Sequence, residues 1–463
     1  MFERFQTAGN VTNLKPVAEG VRAGVQPVLA SSSTTPAGAS AALNLKVALH
    51  QRLIDKLNLG ALEKMGRNDI AEQIAPLVKK VLAEERAALN AQEYESLLEE
   101  LLDEVLGLGP LEPLLKDPAV ADILVNTHRQ VYVERFGVLE KTVVRFKDDQ
   151  HLTRIIQKIV SGVGRRVDES QPWVDARLAD GSRVNALLPP CAVDGPLLSI
   201  RKFSKMPFTV DRLMENGTIT PQLADLLEVI VRSRLNVLIS GGTGTGKTTI
   251  LNAMSSLISN KERIVTIEDT AELQLQQEHV ARMETRPASM EGTGEVNQRD
   301  LVRNSLRMRP DRVIVGEVRG PEVIDMLQAM NTGHDGSMTT VHANSPRDAL
   351  TRLENMTAMT GFEIPVRALR GQISSAIQIV VQLQRFSDGR RRIVSLQEVT
   401  GMEADVVSMQ EIYKYERHGV DADGNVLGRH MPTGVRPRFS ERAKEFGYVL
   451  PESLFRADIG AAR

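Results

Sequence analysis

The stretch Gly241-Gly-Thr-Gly-Thr-Gly-Lys-Thr248 restricts the possible folds of this chain more than any other. It fits the spacing G-x-x-x-x-G-K-[S/T]. An apolar run, Val237-Leu-Ile-Ser240, leads in, and a helix-forming run, Thr249-Ile-Leu-Asn-Ala-Met254, leads out. Glycines have no Cβ, so successive backbone N–H groups can turn inward around phosphates, at a helix N-terminus that already favours anions. Read this way, Gly242, Thr243, Gly244, Thr245, Gly246, Lys247, Thr248 and Thr249 cradle the phosphates of a nucleotide. Lys247 would neutralise the β- and γ-phosphates of ATP, and Thr248 would offer its hydroxyl to Mg²⁺. Short apolar runs at Asn236–Ser240, Arg263–Ile267, Arg312–Gly316 and Ser337–Val341 alternate with helical segments. Such runs suit strands buried on both faces of a parallel sheet, which predicts an α/β nucleotide-binding core over residues 215–415.

At 463 residues the chain is long enough for two or three domains. Residues 1–42 end in the low-complexity run Ser31–Ser40 and read as a disordered tail. Residues 43–110 carry helical stripes: Leu45, Leu49, Leu53 and Leu57, then Ile70, Ile74, Leu77, Val78 and Val81, then Leu97, Leu98, Leu101, Leu102 and Val105. Asn68 or Asp69 could cap the second stripe, and Pro76 is expected to bend it unless the helix starts later. Residues 111–205 read as mixed α+β. Short strands are expected at Asp122–Asn126, Gln130–Glu134, Asp175–Val184 (with an Asp180-Gly181 turn) and Leu197–Arg201, and a helix at Leu152–Val160. Residues 206–214 read as a linker. Residues 416–463 show no clear period and read as a partly ordered tail.

Net charge and cysteine content narrow the function. Lys+Arg 57 against Asp+Glu 59, a formal charge of -2, argues against a whole-chain polyanion binder. The single cysteine, Cys191, cannot make an intrachain disulfide or a multi-cysteine zinc site and suits a reducing compartment. No stretch approaches the roughly 20 apolar residues of a membrane span, so the expected place is cytoplasmic, with membrane contact only peripheral.

Three further clusters bear on chemistry. Glu268 and Asp269 end an apolar strand, where carboxylates would face the nucleotide cleft. In Arg309-Pro-Asp-Arg-Val-Ile-Val-Gly-Glu-Val-Arg319, Gly316 stands where many P-loop enzymes place a Mg²⁺-coordinating Asp, and Glu317 follows. Glu317 is the candidate for activating water, and Mg²⁺ would lean on Thr248, the phosphates and Glu268 through water. His334 and His342 flank a presumed strand and would sit roughly 25 Å apart by strand rise, so they cannot share a metal. His342 is expected to reach the terminal phosphate as a donor; His334 is left to hold a loop or a subunit interface.

In this order the P-loop, Ile267-Glu-Asp-Thr270, the Arg309–Arg319 segment and Gly333-His-Asp-Gly-Ser…Thr340-Val-His-Ala-Asn344 resemble the Walker A, Asp box, Walker B and His box of the type II/type IV secretion ATPase superfamily. Gly107–Leu115, Val163–Ser170, Val174–Asn185 and Ser199–Phe203 resemble its CpaF-type branch, which powers Tad (Flp) pili. The resemblance spans about residues 45–415. It implies a RecA-like P-loop ATPase domain preceded by a PAS-like α+β domain and an N-terminal helical unit. It also implies a homohexamer acting with inner-membrane pilus platform proteins, in extension, retraction or both. It further implies that Arg177, Arg183 and Arg201 reach across to the phosphates, with no one of them singled out. No zinc is expected, because relatives with a Cys-x-x-Cys knuckle need cysteines this chain lacks.

Two other readings stay open. One is a nucleic-acid translocase on the same core, for which Arg385 with Arg390-Arg-Arg392 is the local basic candidate; 4% aromatics and no positive charge count against it, and a solvated hairpin rim is the plainer reading of the cluster. The other is a scaffold that binds nucleotide without turning it over.

Overall fold

The computed structural model describes residues 67–84, 90–135, 137–203, 209–288 and 293–456. The expected tail at 1–42 and the leucine stripe at 45–57 lie outside the described residues.

The helical stripes fold into a hairpin of α1 (Arg67–Glu84) and α2 (Ala91–Leu106). Ile70, Ile74, Val78 and Leu82 of α1 bury against Leu97, Leu101 and Leu102 of α2. Asn90 caps α2, accepting from the Glu93 N–H while the Glu93 carboxylate accepts from the Asn90 N–H. Pro76 lies inside α1, which starts nine residues before it and continues beyond it. After a 3₁₀ turn (Gly109–Leu111), the short α3 (Glu112–Lys116) leads into the next unit.

That unit is a six-stranded antiparallel sheet, in spatial order β3-β2-β1-β6-β5-β4. Its elements are β1 (Val120–Thr127), β2 (Gln130–Arg135), β3 (Val138–Lys141), α4 (Asp149–Gly162), β4 (Trp173–Arg177), β5 (Arg183–Leu187) and β6 (Leu197–Arg201). Alternation decides its two faces. Ile123, Val125, Val131, Val133, Val174, Val184, Ala186, Leu198 and Ile200 point to one side and pack under Leu152, Ile156 and Ile159 of α4. The alternate residues point to the other side and are mostly polar or charged, with Leu124, Trp173, Leu187 and Leu197 as the apolar exceptions.

The second unit begins within the span read as a linker: α5 (Val210–Glu215) is capped by Thr209, and its Leu213 joins the core of the unit that follows. There follow α6 (Pro221–Arg232), β7 (Val237–Gly241), α7 (Lys247–Ser255), β8 (Ile264–Glu268), β9 (Val280–Glu284), α8 (Gln298–Ser305), β10 (Arg312–Val315), α9 (Glu322–Asn331), β11 (Met338–Val341), α10 (Pro346–Ala358), α11 (Val366–Ala376), β12 (Ile379–Arg385), β13 (Arg391–Glu403), β14 (Val406–Val420), β15 (Val426–Pro432) and α12 (Phe439–Glu445). They build a nine-stranded sheet in the order β15-β14-β13-β12-β7-β11-β10-β8-β9. The strands from β12 to β9 run parallel, and β13, β14 and β15 extend the sheet antiparallel. β7, β8, β10 and β11 are buried along their whole length, between two hydrophobic layers, as their continuous apolar runs predict.

Residues 417–456 have more order than their composition suggests. They form the end of β14, then β15 and α12, and Phe439, Ala443, Leu450 and Phe455 fill one of the two layers. No described helix is long and apolar enough to cross a membrane.

Candidate functional site: a phosphate cradle facing an arginine row

In an open parallel sheet, ligands bind beyond the carboxyl ends of the strands. Here those ends carry the chemistry-bearing residues named above. β7 runs into the glycine loop, and α7 starts at Lys247. Gly244 (φ 70°) and Gly246 (φ 91°) take left-handed backbone that side chains disfavour, which lets the loop coil tightly before the helix. Thr248 and Thr249 stand on the first turn of α7, where unpaired N–H groups and the helix dipole favour anions. Thr245 Oγ1 donates to the Gly242 carbonyl at 2.9 Å, and Lys247 Nζ donates to the same oxygen at 3.1 Å. Lys247 is only 8% exposed, and that burial draws its pKa down, opposed by the Glu317 charge.

The carboxylates and the histidine converge on this lysine. His342, just past β11, lies 3.2 Å from Lys247 Nζ and 2.8 Å from Glu317 Oε1 through its Nε2. Burial lowers the His342 pKa, so the ring is held neutral at physiological pH. Arg319 donates to Glu317 Oε2 at 2.6 and 3.0 Å, and its other terminal nitrogen is 3.6 Å from Asp269. His334 stays at the opposite end of β11, with Nδ1 3.2 Å from the Ala329 carbonyl, and holds the turn after α9.

Glu268, at the end of β8, is the most perturbed of these groups. It is 3% exposed, and burial pushes its pKa up to about 7 against the Leu273 and Glu272 N–H groups that bond its Oε2 at 2.8 and 2.7 Å. Its other oxygen, Oε1, is buried with no hydrogen-bond partner among the described residues. A Cβ at Gly316 would come within 3.0 Å of Glu268 Cγ. The glycine that replaces the usual Asp therefore clears the space that Glu268 occupies.

The polar face of the six-stranded sheet lies beside the site: a cleft of about 730 Å³ runs between that face and Asp269, Thr270, Arg319 and the segments 284–287 and 295–298, and no residue of the glycine loop lines it. Strand register lines up Glu134 (β2), Asp122 (β1), Arg201 (β6), Arg183 (β5) and Arg177 (β4), each directly opposite the next. The β4 end is pinned: Arg177 donates to Glu284 at 2.7 Å and to the Ala271 carbonyl at 3.2 Å, and Arg183 donates to Glu272 at 3.0 Å. Arg201, in the middle, makes no side-chain hydrogen bond among the described residues, and its charge is felt at Lys247. Asp122 and Glu134 escape a motif-based reading, although the two-residue alternation of β1 and β2 puts both on the charged face.

The basic cluster of the β12–β13 hairpin divides: Arg385 and Arg390 are exposed, as a solvated rim would have them, whereas Arg391 and Arg392 are not. Arg392 is 6% exposed, sits over the rings of Phe386 and Tyr415, and has Asp388 at 3.6 Å. Arg391 turns inward and donates to the Gly244 carbonyl of the P-loop at 2.8 Å. Residue spacing alone could not show this, because it depends on β12 lying next to β7.

Residues 104–422 match the family described as type II/IV secretion system protein. The chain belongs to the type II/IV secretion system protein family. It is a nucleotide-binding P-loop ATPase of that family. A Mycobacterium tuberculosis (strain H37Rv) protein named as a putative conjugal transfer protein is 41% identical over 314 residues, 66% of this chain and 89% of its own length. The type IV secretion system protein PtlH of Bordetella pertussis is 32% identical over 317 residues, covering 62% of this chain and 93% of that protein. Among solved structures, the VirB11 ATPase of the Brucella suis type IV secretion system aligns at 27% identity with a TM-score of 0.34, over 62% of this chain and 95% of its own.

Proposed function

We propose that this secretion-family ATPase is a hexameric motor that hydrolyses ATP, with Mg²⁺, to power assembly of a Tad-type pilus through an inner-membrane platform, working from the cytoplasmic side. The supporting observation is a phosphate cradle on one unit facing a row of arginines on another, so that charge on a bound triphosphate would draw the two together.

In this reading, Gly242 to Thr249 bind the phosphates, and Lys247 exchanges the Gly242 carbonyl for them. Glu317 orients and activates the attacking water; Arg319 fixes one of its oxygens, which leaves the other to act beside His342. His342 donates to the terminal phosphate. Arg201 supports the developing charge on the γ-phosphoryl as the dominant finger, because Arg177 and Arg183 are already held by Glu284, Ala271 and Glu272. The buried, unpartnered Oε1 of Glu268 fits a water-ligated cation, so Thr248 and Glu268 would hold Mg²⁺. When bound, that ion neutralises charge between the β- and γ-phosphates.

Purified Glu317→Gln tests the assignment. It should bind ATP like the unaltered protein and release phosphate on the order of a hundredfold more slowly. An undiminished rate would defeat the role of Glu317. Absence of phosphate release from the unaltered protein would favour a nucleotide-binding scaffold instead.

A further inference from the structure

The family motifs leave one set of contacts at the P-loop unused, and these come from the β12–β13 hairpin. Arg391 Nε donates to the Gly244 carbonyl at 2.8 Å, and its Cδ lies 3.4 Å from where a Cβ on Gly246 would sit. Arg385, directly opposite Arg391 in the hairpin, places Nη1 3.5 Å from the Cβ position of Gly244. Both arginines also reach the N-terminal sheet. Arg391 Nη2 is 3.7 Å from Glu134 on β2, and Arg385 donates to the Gly137 carbonyl in the turn before β3.

A trans peptide sets its C=O and N–H in opposite directions. Gripping the Gly244 carbonyl from outside therefore turns the N–H of Thr245, in the same peptide unit, toward the inside of the loop. Lys247 bonds the Gly242 carbonyl and so fixes the neighbouring Gly242–Thr243 peptide unit in its turn. Two arginines directly opposed across a hairpin repel each other, and an arrangement that carries such a cost needs a compensating role. Glu134 and Asp122 supply part of the compensation from the other sheet.

We propose that Arg391, backed by Arg385, is a positioning residue of the ATP site: it fixes the Gly244–Thr245 peptide for phosphate binding and, through Glu134, ties that peptide to the N-terminal sheet. Movement of the sheet then reaches the phosphate cradle directly, at the opposite end of the charged row from Arg177. The inference rests on ATP binding at the P-loop, as proposed above.

Steady-state ATPase kinetics and equilibrium ATP binding on Arg391→Ala, Glu134→Gln and the double variant decide it, with the unaltered protein and Lys247→Ala as controls. Arg391→Ala should raise the ATP KM and Kd about tenfold and leave kcat within about threefold. Glu134→Gln alone should raise KM about threefold, and it should add nothing on the Arg391→Ala background. An unchanged KM in both single variants would overturn the proposal even if their melting temperatures fall, since a purely structural role predicts that pattern. Independent, additive effects would overturn the link to the N-terminal sheet. If Arg391→Ala does not fold, Glu134→Gln decides alone: a raised KM supports the link and an unchanged KM rejects it. Failure of the unaltered protein to bind ATP would instead count against the functional reading beneath it.

Discussion

The two ends of the nine-stranded sheet use the same kinds of residue for opposite purposes. At the carboxyl end, Lys247, His342, Glu317, Arg319 and Glu268 crowd together with their partnerships incomplete, and burial shifts the pKa of three of them. At the other end, Arg312 is 1% exposed and fully engaged. It bonds both oxygens of Glu262, at 2.8 and 2.9 Å, and the carbonyls of Val231 and Gly336 at 2.9 and 3.3 Å. Arg234 adds a further bond to Glu262 at 2.8 Å. Asn236 bonds the Gly336 and Ser337 N–H groups and the Ala376 carbonyl, and Arg442 of α12 bonds Asp335 at 2.9 Å. Strands β10 and β11 run between the two ends, so the motif on each has a chemical half and a structural half. Charge left incompletely paired marks the site; charge fully satisfied marks the scaffold.

This contrast predicts different losses at the two ends. Arg312→Ala should have the largest effect, destabilising the fold by about 3–5 kcal/mol because Glu262 is left buried beside only Arg234. Urea unfolding measures it, and replacing Arg312 and Glu262 together with methionine should recover most of the loss. Lys247→Ala should slow phosphate release on the order of 10²–10³-fold while leaving the urea midpoint nearly in place. A large fall in that midpoint would erase the distinction between the ends.

Glu268→Gln probes pH. The folded carboxyl has its pKa raised from 4.5 to about 7, so the folded state holds its proton more tightly than the unfolded chain. Its contribution to stability is full below about pH 4.5, falls as pH rises to about 7, and is constant above that. The glutamine variant should lose this slope in unfolding measured across that range. If the ionised carboxylate is needed for turnover, the unaltered protein's rate should also climb through pH 7, and Glu268→Gln should abolish that climb. Arg442→Ala should be the mildest, about 1 kcal/mol, since its bonds to Asp335 and the Ser233 and Arg234 carbonyls lie partly in solvent.

Much of the carboxyl end was legible in sequence because its chemistry is local. The P-loop, Glu268, Glu317 and His342 each follow an apolar strand, and strand ends in a parallel sheet must meet. In the N-terminal sheet β1, β2 and β6 fall where strands are expected, whereas β3 has no signal and β4 and β5 lie around the Asp180-Gly181 turn at bounds shifted from the expected Asp175–Val184 run. Whatever depends on strand order was hidden. Nothing local shows that β12 lies beside β7, so the inward turn of Arg391 was out of reach. The arrangement of Asp122 and Glu134 in line with Arg201 needed the register of β1 against β2 and β6. Residues 416–463 read only as partly ordered, and the strands and helix over 417–456 escape the sequence because an antiparallel extension and a short helix packing on an existing core need little periodicity of their own. Pro76 stays inside α1, whose apolar stripe packs against α2 on both sides of the missing backbone bond.

The central claim is that a triphosphate in the glycine loop is gripped from the facing sheet by Arg201. The most direct measurement is a crystal structure with a non-hydrolysable ATP analogue and Mg²⁺. The account predicts the γ-phosphate within hydrogen-bond distance of Lys247 and of an Arg201 guanidinium. A γ-phosphate at Lys247 with every Arg201 turned away, or a nucleotide bound outside the loop, would contradict it.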